Sequence, residues 1–350
     1  MKITELARVL ALVSAALAAL GANTNVVAQT VKVTPLGSHT GELCQGDRAL
    51  LFEDPTGVRI LYDVGTGVAG GSDPRLGEVH VVLLSHAHGD HIGDQKAAGI
   101  NAGTCDRPET VSAAPNSSTV EIAAAKNAAI IVSNTLVAFL GPKVQSIRGV
   151  PTPNCPTEGL SRETTVPQPS PCFANLQLGG KRSVKRAGQT TGVQIALVRA
   201  DHSNSADPIL VVGSETADLS ANGLTAYVGM ANGYVLIFTN GLRVYLSGDT
   251  AIYGDMKSII KDFYRVNLAV MNMGAFAMQG EEAAFAIDEL IQPAAVIPSH
   301  VNEAATKGGV VLAGSKTKQF MDLVKKSRVL VPRSGQTMEF NGYARCVTGC

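Results

Sequence analysis

The sequence predicts an α/β chain built as a sheet-on-sheet core with helices outside, an αββα sandwich. Three observations carry that prediction. Short β-type runs separated by Gly, Asp and Pro turn residues fill the stretch from Val31 to Leu84. From Tyr234 onward, strands alternate with helical stretches, and elements in that order are buried by packing helices against sheet. The apolar run Val79 to Leu84 breaks off into Ser85-His86-Ala87-His88-Gly89-Asp90-His91, a tight polar loop at a strand end that points several side chains at one spot.

Taken in order, the first residues read as an export signal. Lys2 and Arg8 give a positive start, Val9 to Leu20 an apolar core, and Val26-Val27-Ala28 a small-residue cleavage site. Cleavage is expected after Ala28, leaving 29–350 as one domain in the periplasm or outside the cell. The apolar core is about a dozen residues, short of the roughly 20 that a membrane span requires, so no stable membrane insertion is expected. The runs Val31 to Pro35, Ala49 to Phe52, Val58 to Asp63 and Val79 to Leu84 then read as an antiparallel start to a sheet.

Residues from about 101 to 190 interrupt this layout and read as an insertion beside the active-site mouth. Ser118-x-x-Glu121 is a capping box opening a long helix to about Leu140. That helix is expected to pack as a lid or wall that lines the pocket partly with aliphatic side chains. A loop with six prolines between Pro151 and Pro171 follows, then Lys181, Arg182, Lys185 and Arg186, read as solvated surface. Beyond it, Tyr234 to Phe238 and Leu242 to Leu246 flank Asn240-Gly241, a strong hairpin signal. Next come a helix near Gly254 to Phe263, a strand Leu268 to Met271, a helix Glu281 to Ile291, a strand Ala295 to Pro298, and a helix Lys316 to Lys326 before two short strands.

Lysine plus arginine equal aspartate plus glutamate at 29 each. No global field attracts nucleic acid or anionic membrane, and a small-molecule substrate fits better. The six cysteines form no C-x-x-C pair, which removes support for a zinc finger or a thioredoxin-like site, and an even count suits disulfides in an exported chain. Cys155 with Cys172 and Cys346 with Cys350 are the expected pairs. There is neither a G-x-S-x-G elbow nor a G-x-x-x-x-G-K-[ST] loop. His39 reads as surface, and His80, within the strand before the loop, as a hydrogen-bonded core residue.

The loop itself carries the chemistry. Three imidazoles and a carboxylate crowded together cost solvation and charge repulsion unless a cation compensates them. Imidazole with carboxylate suits zinc, iron or manganese. At this H-x-H-x-D-H sequence the chain resembles the metallo-β-lactamase-fold hydrolases. Arg59 to Gly67 contains Asp63 followed by glycines and resembles the family's first motif, which implies that Asp63 supports the metal site from behind. His202 and His300 each follow an apolar strand, and Asp249 follows Leu246-Ser247-Gly248. Their order implies that His86, His88 and His202 hold one divalent ion, that Asp90, His91 and His300 hold a second, and that Asp249 bridges both. Two ions are implied, Zn2+ foremost, with Mn2+ or Fe2+ as alternatives.

The stretches Leu246 to Met256 and Met273 to Ala283 look like the branch containing ascorbate-phosphate lactonase. The resemblance implies an exported hydrolase in which a metal-bridging hydroxide attacks a cyclic ester, amide or related carbonyl, with Asp90 orienting the nucleophile and carrying its proton. A phosphodiesterase using the same ions is the alternative. An iron oxidoreductase and a non-catalytic binding protein stand further off, because no electron-transfer module is present and the ligand set is complete.

Overall fold

The structure, a computed structural model, describes residues 29–159, 162–211, 219–274 and 278–350. The expected signal segment, 1–28, lies outside these residues, as do Ala275, Phe276 and Ala277 of the branch motif. Two eight-stranded sheets form the core. In spatial order the first runs Cys172–Phe173, Ala129–Ile131, Val81–Leu83, Arg59–Tyr62, Ala49–Glu53, Val31–Leu36, Met338–Phe340, Cys346–Thr348. The second runs Thr164–Val166, Lys181–Arg186, Val193–Arg199, Asn232–Ile237, Arg243–Leu246, Leu268–Asn272, Ala295–Ser299, Arg328–Val329.

The two-residue period of a strand explains the layering. Ile60, Tyr62, Val81 and Leu83 join Ile195, Leu197, Tyr234, Leu236, Val244 and Leu246 in one cluster between the sheets. Their neighbours Leu61, Val82, Leu84 and Ile130 turn outward onto the helices Ser118–Lys126 and Asn134–Arg148. On the far side Ala196, Val198, Tyr245, Ala269 and Met271 pack on the helical stretches Met256–Phe263, Gly280–Phe285, Ala286–Ile291 and Lys316–Leu323. Strands apolar on both faces need a layer on each side, which gives the expected αββα sandwich. The Asn240-Gly241 hairpin forms as expected, with Tyr234 opposite Leu246 and Gly241 at φ 93°.

Several expectations are corrected. The first three strands are antiparallel, but Val81–Leu83 runs parallel to Arg59–Tyr62, because the connection from Asp63 to His80 is long enough for a crossover. The single helix from Ser118 to Leu140 is two helices with a core strand between them. Ser117 rather than Ser118 caps the first, accepting from the Val120 amide, and Asn127 in the left-handed region (φ 52°) ends it. Ala129–Ile131 then enters the first sheet beside Val81–Leu83.

Residues 101–190 are therefore woven into the fold, supplying two strands to each sheet. The basic cluster is a strand rather than a solvated run: Arg182 is buried and donates to the Thr164 hydroxyl. The last helix stops at Leu323 because the Asp288 carboxylate takes the amides of Lys325 and Lys326. All six cysteines are paired, as Cys44–Cys105, Cys155–Cys172 and Cys346–Cys350.

Candidate metal centre

The ligand residues converge because strands of both sheets end at one place. The Val81–Leu83 strand leads into Ser85 and His86, and a single helical turn, Gly89–Ile92, carries Asp90 and His91. From the second sheet, Val193–Arg199 delivers His202, Arg243–Leu246 delivers Asp249, and Ala295–Ser299 delivers His300. The last two lie beyond the carboxyl ends of parallel strands, where open α/β sheets place their ligands.

All seven sequence-predicted ligands fall into three overlapping groups whose donor atoms lie within 4.8 Å of one another: His86, His88 and His202; His86, His91 and Asp249; Asp90, His91 and His300. Asp249 joins the sets. Its Oδ1 is 3.3 Å from His91 Nε2, and its Oδ2 is 3.1 Å from His300 Nε2 and 3.8 Å from His202 Nε2. Asp90 Oδ2 lies 3.0 Å from His300 Nε2 and 3.8 Å from His91 Nε2. His86 Nε2 faces His88 Nδ1 at 3.0 Å.

Hydrogen bonds behind the ligands settle which ring nitrogens face the centre. Asp63 accepts from the Ser85 amide at 2.8 Å, the Ser85 hydroxyl at 2.7 Å and His91 Nδ1 at 2.8 Å. Since the Ser85 proton goes to Asp63, its oxygen accepts from His86 Nδ1 at 2.9 Å. In both His86 and His91, Nε2 is thereby the nitrogen that points inward. Asp63 thus bonds His91 directly and reaches His86 through the Ser85 hydroxyl.

Burial holds the His86 imidazole well below its ordinary range, with His91 adding to the effect. His88 and His202 are also lowered, chiefly by burial. Neutral imidazole is the form that binds a metal. His91 is the reverse: burial opposes its charge, but Asp249, Asp90 and Asp63 outweigh it and push it up to about 10. For Asp90 and Asp249 burial is likewise outweighed, by His91 and His300, so both stay carboxylates. A centre with three carboxylates around one imidazole calls for a cation.

The unpaired atoms fit that demand. His91 Nε2 and Asp249 Oδ1 are buried and close, yet neither is hydrogen-bonded. Buried polar atoms without partners are costly, and a divalent ion coordinated by both removes the cost. The residues present therefore fit metal binding.

Supporting contacts lock the ligand loops to one another. Asn204 accepts from the Ala87 amide at 2.9 Å, and the Asp201 amide donates to Thr250 at 2.9 Å. The Gly248 amide donates to the Tyr62 hydroxyl at 2.9 Å. Gly248 has φ 58°, and a Cβ there would sit 2.8 Å from the Asn232 carbonyl oxygen and 2.9 Å from Ser85 Cβ, so only glycine fits.

Sequence reasoning missed Ser85, Asn204, Asn302 and Arg48. The Arg48 guanidinium is buried and donates to Asp90 Oδ2 at 2.9 Å and to Asn302 Oδ1 at 2.6 Å. The usable signal for Ser85 was its place beside the ligand loop; a lone arginine before a strand gave none.

Asp90 opens into a cavity of about 530 Å³ lined by Gln45, Arg48, Thr66, Asp106, Arg107 and Asn302, with Gly46, Pro108 and Thr110. Its outer wall is the Gly103–Thr104 and Arg107–Pro108 hairpin, tied to the Cys44 loop by the Cys44–Cys105 disulfide. The expected aliphatic wall from the Ser118 helix is thus corrected: that helix buries its apolar residues against the outer face of the first sheet. His39 is half-buried at the hairpin's base, 3.3 Å from the Gly103 carbonyl, and stands apart from the ligand groups. His80 is core, accepting from the Arg59 amide at 3.0 Å.

Residues 45–300 match the family described as the beta-lactamase superfamily domain. A UPF0173 metal-dependent hydrolase of Cupriavidus taiwanensis is 25% identical over 268 residues, 76% of this chain and 73% of its own. One of Staphylococcus epidermidis is 26% identical over 302 residues, covering 84% and 97%. Among solved structures, Igni18, a metallo hydrolase from Ignicoccus hospitalis, is similar at TM-score 0.54 and 20% identity, covering 89% of this chain and 99% of its own, which is a likeness of fold.

Proposed function

Because the chain belongs to the beta-lactamase superfamily, and its relatives above are named metal-dependent hydrolases, we propose that it is an exported hydrolase with two divalent ions that cleaves a small cyclic ester, amide or related carbonyl compound. The observation that carries this reading is Asp249, whose two oxygens reach toward both ligand sets at once. Seven ligands exceed what one tetrahedral site uses. When bound, such ions acidify a water and polarise the substrate oxygen.

The chain's own residues do the rest. Asp63 and Ser85 fix the imidazoles, and Asp90, facing the cavity, orients the attacking water and takes its proton. The cavity lining is polar, so a small polar substrate suits it better than the apolar one the expected aliphatic wall would have favoured. Zinc is our first expectation for the metal, and a lactonase-like substrate our first expectation for the chemistry. The paired cysteines and the leader-like start of the sequence support export.

Protein purified after growth with zinc and manganese should carry about two equivalents of metal and turn over at least one of a panel of lactones, β-lactams and phosphodiesters. Turnover of phosphodiesters alone would move the reading to phosphoryl transfer. A trace of metal, or full metal with no turnover, would overturn it. Tagged protein should fractionate outside the cytosol; cytosolic protein with an intact Met1 and six titratable thiols would refute export.

A further inference from the structure

Arg48 has an unusual position. It sits just ahead of the Ala49–Glu53 strand, and its side chain is 2% exposed, yet its end group lines the cavity together with Asp90 and Asn302. Both terminal nitrogens of the guanidinium are hydrogen-bonded, while the buried Nε has no partner. One terminal nitrogen, Nη1, donates to the Asp47 carbonyl at 3.2 Å. The other, Nη2, donates to Asp90 Oδ2 at 2.9 Å and Asn302 Oδ1 at 2.6 Å. The stem passes Gly65, where any Cβ would meet Arg48 Cβ and Cγ at 2.8 Å.

The two acceptors come from opposite halves of the fold. Asp90 belongs to the loop of the first sheet, and Asn302 lies two residues beyond His300, where its own amide donates to the Gly274 carbonyl at 3.3 Å. An arginine buried at this junction costs desolvation that only a specific, hydrogen-bonded geometry repays. Asp90 Oδ2 is accordingly held between Arg48 and His300 Nε2. Its Oδ1 has no hydrogen-bond partner among the described residues, on a side chain 40% exposed toward the cavity.

We propose that Arg48, seconded by Asn302, is a positioning residue that pins Oδ2 of Asp90 and thereby presents Oδ1 to the cavity as the atom that carries a proton to the leaving group. The step balances: water oxygen bonds to the carbonyl carbon, the bond from that carbon to the leaving oxygen or nitrogen breaks, and the water's proton passes through Asp90 Oδ1 to that leaving atom. This rests on the hydrolase reading above. It goes beyond it in assigning work to a residue outside the seven candidate ligands.

The test compares wild type, Arg48→Met and Arg48→Lys on two esters that share one acyl group, one with a phenol-like activated leaving group and one with an alkyl alcohol. A poor leaving group requires the proton and an activated one does not. Arg48→Met should therefore lose about 100-fold in kcat per bound metal on the alkyl ester, the scale of a lost general acid, and less than about 5-fold on the activated ester. Arg48→Lys should recover part of the loss. Equal losses on both esters, or no loss on either, would overturn the proposal.

A crystal structure of Arg48→Met decides without turnover. A rotated Asp90 supports the clamp, and an Asp90 unmoved from its wild-type position overturns it. If wild type itself hydrolyses no ester or amide, the hydrolase reading fails, and the crystallographic arm still judges the clamp.

Discussion

Replacing Asp63 by Asn is the sharpest probe of how the ligands are oriented. The carboxylate is 1% exposed and accepts three hydrogen bonds, from the Ser85 amide, the Ser85 hydroxyl and His91 Nδ1. An amide keeps one accepting oxygen, which the Ser85 amide can still use. Its NH2 group then faces two donors, so the His91 proton moves to Nε2 and points at the candidate metal centre. A lost buried hydrogen bond to a charged group costs about 1.5–3 kcal/mol. Loss of such an outer partner weakens metal binding by roughly 10–100-fold, which at about 1.4 kcal/mol per decade is the same range.

Competition against a chelator of known affinity should therefore show Asp63→Asn binding its more weakly held equivalent at least about tenfold worse, with turnover falling in step. The native far-ultraviolet circular dichroism should be retained. Affinity within twofold of wild type together with normal kcat would refute the argument that Asp63 sets the His91 tautomer.

Other expectations follow from single residues. Asp249→Ala and His202→Ala should each lower metal content and remove most activity while leaving the fold intact, read by elemental analysis and thermal melting; near-normal values would sink the ligand assignments. Gly248→Ala should cost at least about 1–2 kcal/mol from left-handed backbone alone and displace the neighbouring Asp249, seen as a lower Tm with weaker metal binding. Burial pushes the Asp47 carboxyl from 3.8 up to about 6, against hydrogen bonds from the Cys44 and Ser38 amides and the Arg48 charge. A folded value above the unfolded one favours folding in acid, and that contribution is lost as pH rises through about 6. Denaturation of metal-free protein should show roughly 3 kcal/mol of such loss by neutral pH that Asp47→Asn lacks; parallel pH profiles for the two proteins would disprove it.

The convergence of the seven candidate ligands was legible because metal-type residues cluster densely in sequence. Four ligand residues within His86 to His91 are hard to explain otherwise, and His202, Asp249 and His300 each follow an apolar strand. Arg48, Asn204 and Asn302 were illegible for the opposite reason: each is a lone polar residue whose partner is far away in sequence, 254 residues for Arg48 and Asn302. The layered fold could be read from two-residue periodicity, but the Ala129–Ile131 strand could not. A short apolar run in an alanine-rich stretch reads equally as helix, and nothing local showed that Asn127 would take the left-handed turn that ends one.

Two tyrosines facing each other across the core give the molecule a tolerance as well as a shape. Tyr234 of the second sheet donates to the Leu84 carbonyl at 2.8 Å, two residues before His86. Tyr62 of the first sheet takes the amide of Gly248, next to Asp249, and their rings meet edge-on at 6.4 Å. The thickness of the apolar layer is thus the gauge that spaces one half of the centre from the other. An error of about 1 Å in reacting geometry can cost 100-fold in rate, whereas a core that loses a methylene relaxes at a cost of only about 1 kcal/mol. Size-changing substitutions at Phe52, Phe238, Leu83 or Leu246, remote from any substrate, would then register in turnover before they register in melting temperature.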